Sequence, residues 1–370
     1  MRYKKLIFIF GLALVSISLS ACSVSTSSVK KDVGTDSSVF LSTNGGDSWR
    51  EAVSLSGLGQ TQNIRSLNVN LMTLDPEDSL AVYLASFDQG LYYTYNIVND
   101  GWTKVKGLPE ATINDVKVDP KNKCIIYAAI SNRLYRSNDC SRSFTQVYFD
   151  NNAGVIVSAV VVDHYNSQNI YIGTSRGEII KSIDGGNSWR TIKRLGEGIS
   201  RLIISPLESR LVFVATAKNN IYSFMANSTI NSTDPAVIEK NFAVDSWSDL
   251  NTVLKDFNLG TSFRDFVVCA KDGKMFIATN QTILRSPDNG ITWEQIKLIQ
   301  PDKETVVNAL AVNPLDSNQL YYVTNTTFFS SVDGGVTWTT KKLPTSRAGR
   351  ELIIDFVNPN NIYLGTVKLK

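Results

Sequence analysis

The chain is short of the residues that most enzymes use for chemistry. It has one histidine in 370 residues, His164, and four cysteines. A single histidine excludes a histidine-based metal cluster; His164 falls in a turn and reads as a surface residue, and no Ser/His/Asp set or phosphate-binding glycine loop is recognisable. The chain also lacks a comfortable membrane span. Its longest apolar run, residues 6–19, covers 14 residues, fewer than the roughly 20 a transmembrane helix needs. Net charge is nearly absent. The formal excess is +3, and the three cations Arg2, Lys4 and Lys5 account for it, leaving 34 charges of each sign in the remainder. Such a balance excludes a general nucleic-acid or anionic-surface binder. No cofactor is expected.

What the chain has in abundance is a repeated turn. Residues 181–190, KSIDGGNSWR, read as a strand end, a tight turn and a new strand opening at Trp189. The Asp184 carboxylate can accept backbone N–H groups a few residues on, and Gly185 and Gly186 tolerate positive φ. Trp189 then supplies on the order of 150–250 Å² of surface for burial. The same pattern recurs as STNGGDSW ending at Trp49, SPDNGITW with Asp288 and Trp293, and SVDGGVTW with Asp333 and Trp338. Degenerate copies end at Trp102, Phe144 and Trp247. Successive box aromatics are 53, 42, 45, 58, 46 and 45 residues apart, the period of a β-propeller blade.

A second landmark is an apolar-aromatic pair expected to open a strand: Val82-Tyr83, Ile126-Tyr127, Ile170-Tyr171, Val212-Phe213, Met275-Phe276, Leu320-Tyr321 and Ile362-Tyr363. Seven or eight residues before each stands a turn starter: Asp75, Asp119, Asp163, Ser205, Cys269, Asn313 or Asp355. Each repeat therefore reads as four strands. Six units are complete between about Asn70 and Pro344. The C-terminal segment supplies an inner strand pair without a box, and the N-terminal segment a box without an inner pair. The expected fold is all-β, a single seven-bladed propeller over residues 39–370, with the last blade closed by strands from both termini. Blade 4 carries extra residues, around 226–243, expected as an exposed loop between its third and fourth strands.

Residues 1–21 have the form of an export signal, with a basic start and a short apolar core. Leu19-Ser20-Ala21-Cys22 resembles the bacterial lipobox, which implies lipid on Cys22, membrane anchoring and a location on the periplasmic or cell-surface side. Residues 22–38, rich in Ser, Thr and Val, read as a flexible tether. Export permits disulfides. A hairpin turning near Ser131-Asn132-Arg133 would set Cys124 opposite Cys140, and a disulfide is expected there, stapling a blade whose box has decayed. Cys269 reads as a small buried hydrophobe.

On its boxes the chain resembles the BNR/Asp-box superfamily, which includes sialidases, xyloglucanases, sortilin-type receptors and photosystem II stability/assembly factors. The resemblance implies a propeller and says little about activity. In it Asp184, Asp288 and Asp333 are turn caps. A sialidase would need an N-terminal Phe/Tyr-Arg-Ile-Pro motif. The nearest string, Phe263-Arg264-Asp265-Phe266, lacks Ile-Pro and lies in the wrong blade. The assembly factors are closer in architecture, being seven-bladed and, in cyanobacteria, lipid-anchored.

Propellers commonly bind partners where loops enter the inner strands. Counting back from the turn starters places Arg201, Arg264 and Arg350 there with Asp115, Asp265 and Glu351. Two readings stay open for these six: a binding ring for a protein partner at the membrane, or salt bridges between blades. The ring positions hold no aromatic, which leans toward a protein partner. A glycan-binding or glycoside-cleaving propeller is the alternative function.

Overall fold

The computed structural model describes residues 35–57, 62–227, 239–240, 242, 244–299 and 306–369. The expected signal peptide and Cys22 lie outside the described residues. Among those described, 28 strands form seven four-stranded sheets. The chain opens with β1 (Val39–Ser42) and β2 (Arg50–Glu51). Blade 1 is β3 (Val69–Asp75), β4 (Asp78–Ser86), β5 (Leu91–Thr94) and β6 (Thr103–Lys104). Blade 2 is β7 (Ile113–Asp119), β8 (Asn122–Ile130), β9 (Arg133–Ser137) and β10 (Thr145–Phe149). Blade 3 is β11 (Val157–Val162), β12 (Ile170–Thr174), β13 (Glu178–Ser182) and β14 (Arg190–Arg194). Blade 4 is β15 (Ile199–Ile204), β16 (Leu211–Thr216), β17 (Ile221–Ala226) and β18 (Val244–Asp249), followed by the single helical turn α1 (Asn251–Leu254). Blade 5 is β19 (Phe263–Val268), β20 (Met275–Thr279), β21 (Ile283–Ser286) and β22 (Glu294–Ile296). Blade 6 is β23 (Ala309–Asn313), β24 (Asp316–Val323), β25 (Thr327–Ser331) and β26 (Thr339–Lys342). Last come β27 (Ala348–Ile354) and β28 (Ile362–Val367).

The seventh sheet runs β2-β1-β28-β27. β1 and β28 are antiparallel, with Phe40 facing Leu364, so both ends of the chain share one blade and the ring has no open seam. Of the residues read as the end of a tether, Thr35 and Asp36 are exposed but Ser37 and Ser38 are packed. Ser37 and Ser38 are fully buried, and Thr366 donates to the Ser37 carbonyl at 2.7 Å. Arg347, 2% exposed, was not singled out from sequence; it ties blade 7 to blade 1, donating to Arg65 O at 2.6 Å and Asn68 Oδ1 at 2.7 Å.

Each blade buries both faces of its middle strands. β12 and β13 are buried throughout, whereas β14 is mostly exposed. The core is a set of apolar wedges between neighbouring blades; Phe213 of blade 4 meets Phe266 of blade 5 edge-to-face at 5.9 Å. Two residues after the aromatic landmark the chain is small in every blade but the sixth, where Val323 stands and Gly349 of the next blade makes the room, because the next blade crowds this position. A Cβ on Gly173 would sit 2.5 Å from Ile199, and one on Gly365 2.7 Å from Val69. Ala85, Ala129, Ala215 and Ala278 hold the same position. The landmark pair opens its strand in blades 3, 5 and 7, and in blade 4 the strand opens one residue earlier, at Leu211. In β4, β8 and β24 the ladder begins about four residues earlier, because Asp75, Asp119 and Asn313 also pair across the turn with Asp78, Asn122 and Asp316.

The box turn has one bonding pattern. Asp184 Oδ1 accepts from the Ser182 hydroxyl at 2.8 Å and from Ser188 N at 2.8 Å, while its Oδ2 accepts from Ser188 Oγ at 2.6 Å. Ser182 Oγ in turn accepts from Gly186 N at 2.8 Å. Asp288 and Asp333 repeat this arrangement, and Asn44 stands in for the carboxylate in the first copy. The box tryptophans pack as expected of large apolar rings: Trp293 is 7% exposed, Trp49 meets Phe328 and Trp338 meets Tyr322 edge-on, and Trp189 donates to Val147 O at 2.9 Å.

Cys124 and Cys140 are joined by a disulfide. The hairpin turns on Ser131-Asn132, one residue out of the expected register, so Cys140 sits past the end of β9 in the box itself. That box has not decayed: Asp139 Oδ1 still accepts from Ser143 N at 2.9 Å. Its two glycine positions are taken by Cys140 and Ser141, at φ +57° and +65°. L-residues there are strained by roughly 1 kcal/mol or more each. Cys269 is a free, buried thiol. The blade-4 insertion falls between β17 and β18, and most of it lies outside the described residues. His164 is exposed in its turn.

Candidate functional site

The seven inner strands surround a channel, and all seven line a cavity of about 270 Å³ at the end where they begin. In six of them the ladder slips by one residue at the strand's start: at Asn70, Asn114, Ser158, Ser200, Arg264 and Arg350. A β-bulge re-aims the side chain that it carries. Counting back from the turn starters places Arg264 and Arg350 here, and the same distance of five residues from Asp75, Asp119, Asp163 and Ser205 falls on Asn70, Asn114, Ser158 and Ser200, though the count does not reveal the bulge. The count worked because each inner strand is clamped at its far end. Asp75, Asp119, Asp163, Ser205, Asn313 and Asp355 each accept the N–H two residues on.

The bulged side chains differ in what they hold. Asn70 donates to Ile113 O at 2.8 Å, Asn114 to Val157 O at 3.1 Å, and Ser158 to Ile199 O at 2.6 Å, each reaching the next blade. Arg350 donates to Asn70 Oδ1 at 3.1 Å and lies 5.4 Å over the Phe87 ring. Among the described residues Arg264 makes no hydrogen bond or ion pair. The Nε atoms of both arginines are buried without an acceptor. Burial, and secondarily the charge of Arg350, holds the Arg264 guanidinium below its ordinary pKa, as expected of a cation without a counter-ion.

One residue further in, the side chains form a charged layer. Arg201 is paired with Asp265, whose charge pushes the Arg201 pKa up. Asp265 also accepts from Phe266 N at 2.8 Å. Asp115 Oδ1 accepts from Lys117 Nζ at 2.6 Å, and its Oδ2 from Val160 N of blade 3 at 2.9 Å. Among the described residues Glu351 has no hydrogen bond or ion pair within 4 Å. Burial, and then the nearby Asp265 charge, push its carboxyl up to about 8.

The structure thus brings together all six expected residues and divides them. Arg201, Asp265 and Asp115 are internally engaged, whereas Arg264, Arg350 and Glu351 are not bound to any opposite charge. Three further residues were missed. Lys117 shares a pleat face with Asp115 and could have been found by period two. Phe263, one residue before Arg264, lines the mouth, so the mouth does hold an aromatic. Phe87 comes from a hairpin loop and has no sequence signal. Among the described residues no group of three or more His, Cys, Asp or Glu side chains could hold a metal ion, and no helix is long and apolar enough to cross a membrane.

Comparison with known proteins bears on the fold. The model of the DUF6242 beta propeller domain matches residues 211–364. No curated protein matches the chain by sequence. Among solved structures, the GH74 xyloglucanase from Xanthomonas campestris aligns over 86% of this chain and 52% of its own, with a TM-score of 0.63 and 16% identity. YCF48 bound to a D1 peptide aligns over 81% of this chain and 93% of its own, with a TM-score of 0.58 and 13% identity. The extracellular domain of a putative one-component system from B. thetaiotaomicron aligns over 86% and 39%, with a TM-score of 0.59 and 10% identity. The chain spans about half the length of the xyloglucanase. At these identities the likeness is one of propeller fold.

Proposed function

We propose that the chain is an exported protein-binding scaffold, lipid-anchored through Cys22, that holds an acidic segment of a membrane-associated partner at the channel mouth. The observation that carries this reading is the adjacency of Arg264 and Arg350, neither of them ion-paired among the described residues and both with a buried Nε that lacks an acceptor. Two guanidinium groups carried into a cavity on bulges are complementary to carboxylates that enter from outside. That YCF48, a propeller of similar fold, has been solved with a peptide bound supports a peptide-sized occupant. An assembly-factor role fits an anchored scaffold of this kind.

The test is a crosslinking pull-down from native membranes with the lipidated, C-terminally tagged protein. The expected outcome is a discrete partner lost in Arg264→Ala/Arg350→Ala, with melting temperature unchanged. A partner retained by that variant would refute the reading.

A glycoside-cleaving site is the second reading. Glu351 favours it, since a carboxyl kept protonated near neutral pH suits a general acid. Such a site needs a second, free carboxylate, and Asp115 and Asp265 are engaged with Lys117 and Arg201. Reducing sugar released from xyloglucan by the wild type and not by Glu351→Gln would favour this reading over the first.

A further inference from the structure

Inward of the charged layer the channel opens into a second cavity, of about 460 Å³, reaching to the turns at Pro76, Ala270, Pro314 and Phe356. Its walls are apolar. Leu74, Ile203, Val267, Ala311, Ile353 and Phe356 line it, and all but Ala311 are only half-buried, so their surfaces face the channel. Its inner end is polar, formed by Lys117, Arg201, Asp265 and Glu351. The two cations there are already matched, Arg201 by Asp265 and Lys117 by Asp115. Glu351 is the carboxyl left over.

We propose that this cavity binds an aliphatic ammonium group, with the hydrocarbon chain along the apolar walls and the nitrogen donating to Glu351. The volume falls within the range of small-molecule sites. An anion would meet cations that already have partners, beside an unpaired carboxyl. A neutral apolar guest would fill the walls and leave that carboxyl unsatisfied. An ammonium supplies both parts, because a charge-assisted bond to Glu351 favours its ionised form over the protonated one. Binding near neutral pH therefore releases the Glu351 proton to solvent. The groups that face Glu351 and set this linkage are Asp265, which opposes ionisation, and Arg201, Arg350 and Lys117, which favour it. This inference does not depend on partner binding at Arg264 and Arg350.

The experiment is calorimetric titration of the wild-type protein with hexylammonium chloride and with hexanol, near pH 7, in two buffers of different ionisation heat. Hexylammonium is expected to bind more tightly than hexanol by about tenfold or more, the scale of one hydrogen bond to a charged group. Up to one proton is released, and the release fades toward about pH 9, where Glu351 is already ionised. Glu351→Gln, nearly isosteric, is expected to lose the preference for the ammonium, whereas Arg264→Ala/Arg350→Ala keeps it. Equal affinity for the two ligands, binding without proton release near pH 7, unchanged preference in Glu351→Gln, or no binding of hexylammonium would each overturn the proposal. Proton release is measured on the wild type and does not depend on the variant folding.

Discussion

Asn70, Asn114 and Ser158 stand on the same backbone device as Arg264 and Arg350, a one-residue bulge at the start of an inner strand, and they do opposite work. On blades 1, 2 and 3 the bulge delivers a short polar side chain to the carbonyl of the next blade, and the ring is clasped. On blades 5 and 7 it delivers a long cation to the mouth. Arg264 grips nothing, and Arg350 leans on Asn70 and Phe87. One side of the ring uses the position for cohesion; the other leaves it available to a guest. A single geometric position thus carries no fixed role, and its role is set by side-chain reach and by whether an acceptor lies within that reach.

The contrast can be broken outright by removing residues 349–370. Blade 7 then loses β28 and most of β27, the inner pair that β1 and β2 lean on, and calorimetry should show no cooperative unfolding. A truncated protein that melts like the full chain would refute closure of the ring.

Arg201→Ala is expected to cost roughly 3 kcal/mol, because it strands the Asp265 carboxylate in a confined, low-dielectric site. Denaturant midpoints measure this, and a loss below about 1 kcal/mol would move Arg201 to the binding side of the comparison. Asn114→Ala removes one clasp and should cost about 1 kcal/mol. Arg264→Asn is the sharpening variant, replacing a mouth cation with the side chain used on the clasped side. It should be neutral or stabilising by up to about 1 kcal/mol, and it should abolish partner capture. Destabilisation by Arg264→Asn would show that the two sides of the ring do not differ as described.

A separate effect concerns pH. The folded protein holds the Glu351 proton up to about 8, above the ordinary carboxylate value. Between those two values the unfolded chain has already released it. Stability attributable to this group therefore falls as pH rises from about 4.5 toward about 8. Urea midpoints across that window should decline more steeply for the wild type than for Glu351→Gln. Parallel curves would mean that Glu351 is ordinarily ionised.

Much of this was legible in the sequence because it repeats. The blade count and the shared seventh blade followed from box spacing and from unmatched ends. The ring followed from the constant distance between Asp75-type turn starters and the strand's first residues. What escaped were features without a local signature. A bulge depends on the partner strand, so nothing in Arg264-Asp265 announces that these neighbours have opposite fates, one at the mouth and one locked to Arg201 in the next blade. Phe87 reaches Arg350 only because blades 7 and 1 adjoin. The Arg347 latch likewise joins residues far apart in sequence. The decayed look of the blade-2 box misled, since replacing glycine left Asp139 bonded as before.

The shared seventh blade also orders events in time. Ser37 and Thr366 are bonded across 329 residues of chain, and the first strand synthesised finds its partner only when nearly the last has been made. Until then β1 and β2 have no sheet to join, whichever of blades 1 to 6 have already formed. Ring completion becomes the last folding step, with the long-range contacts that make such steps slow.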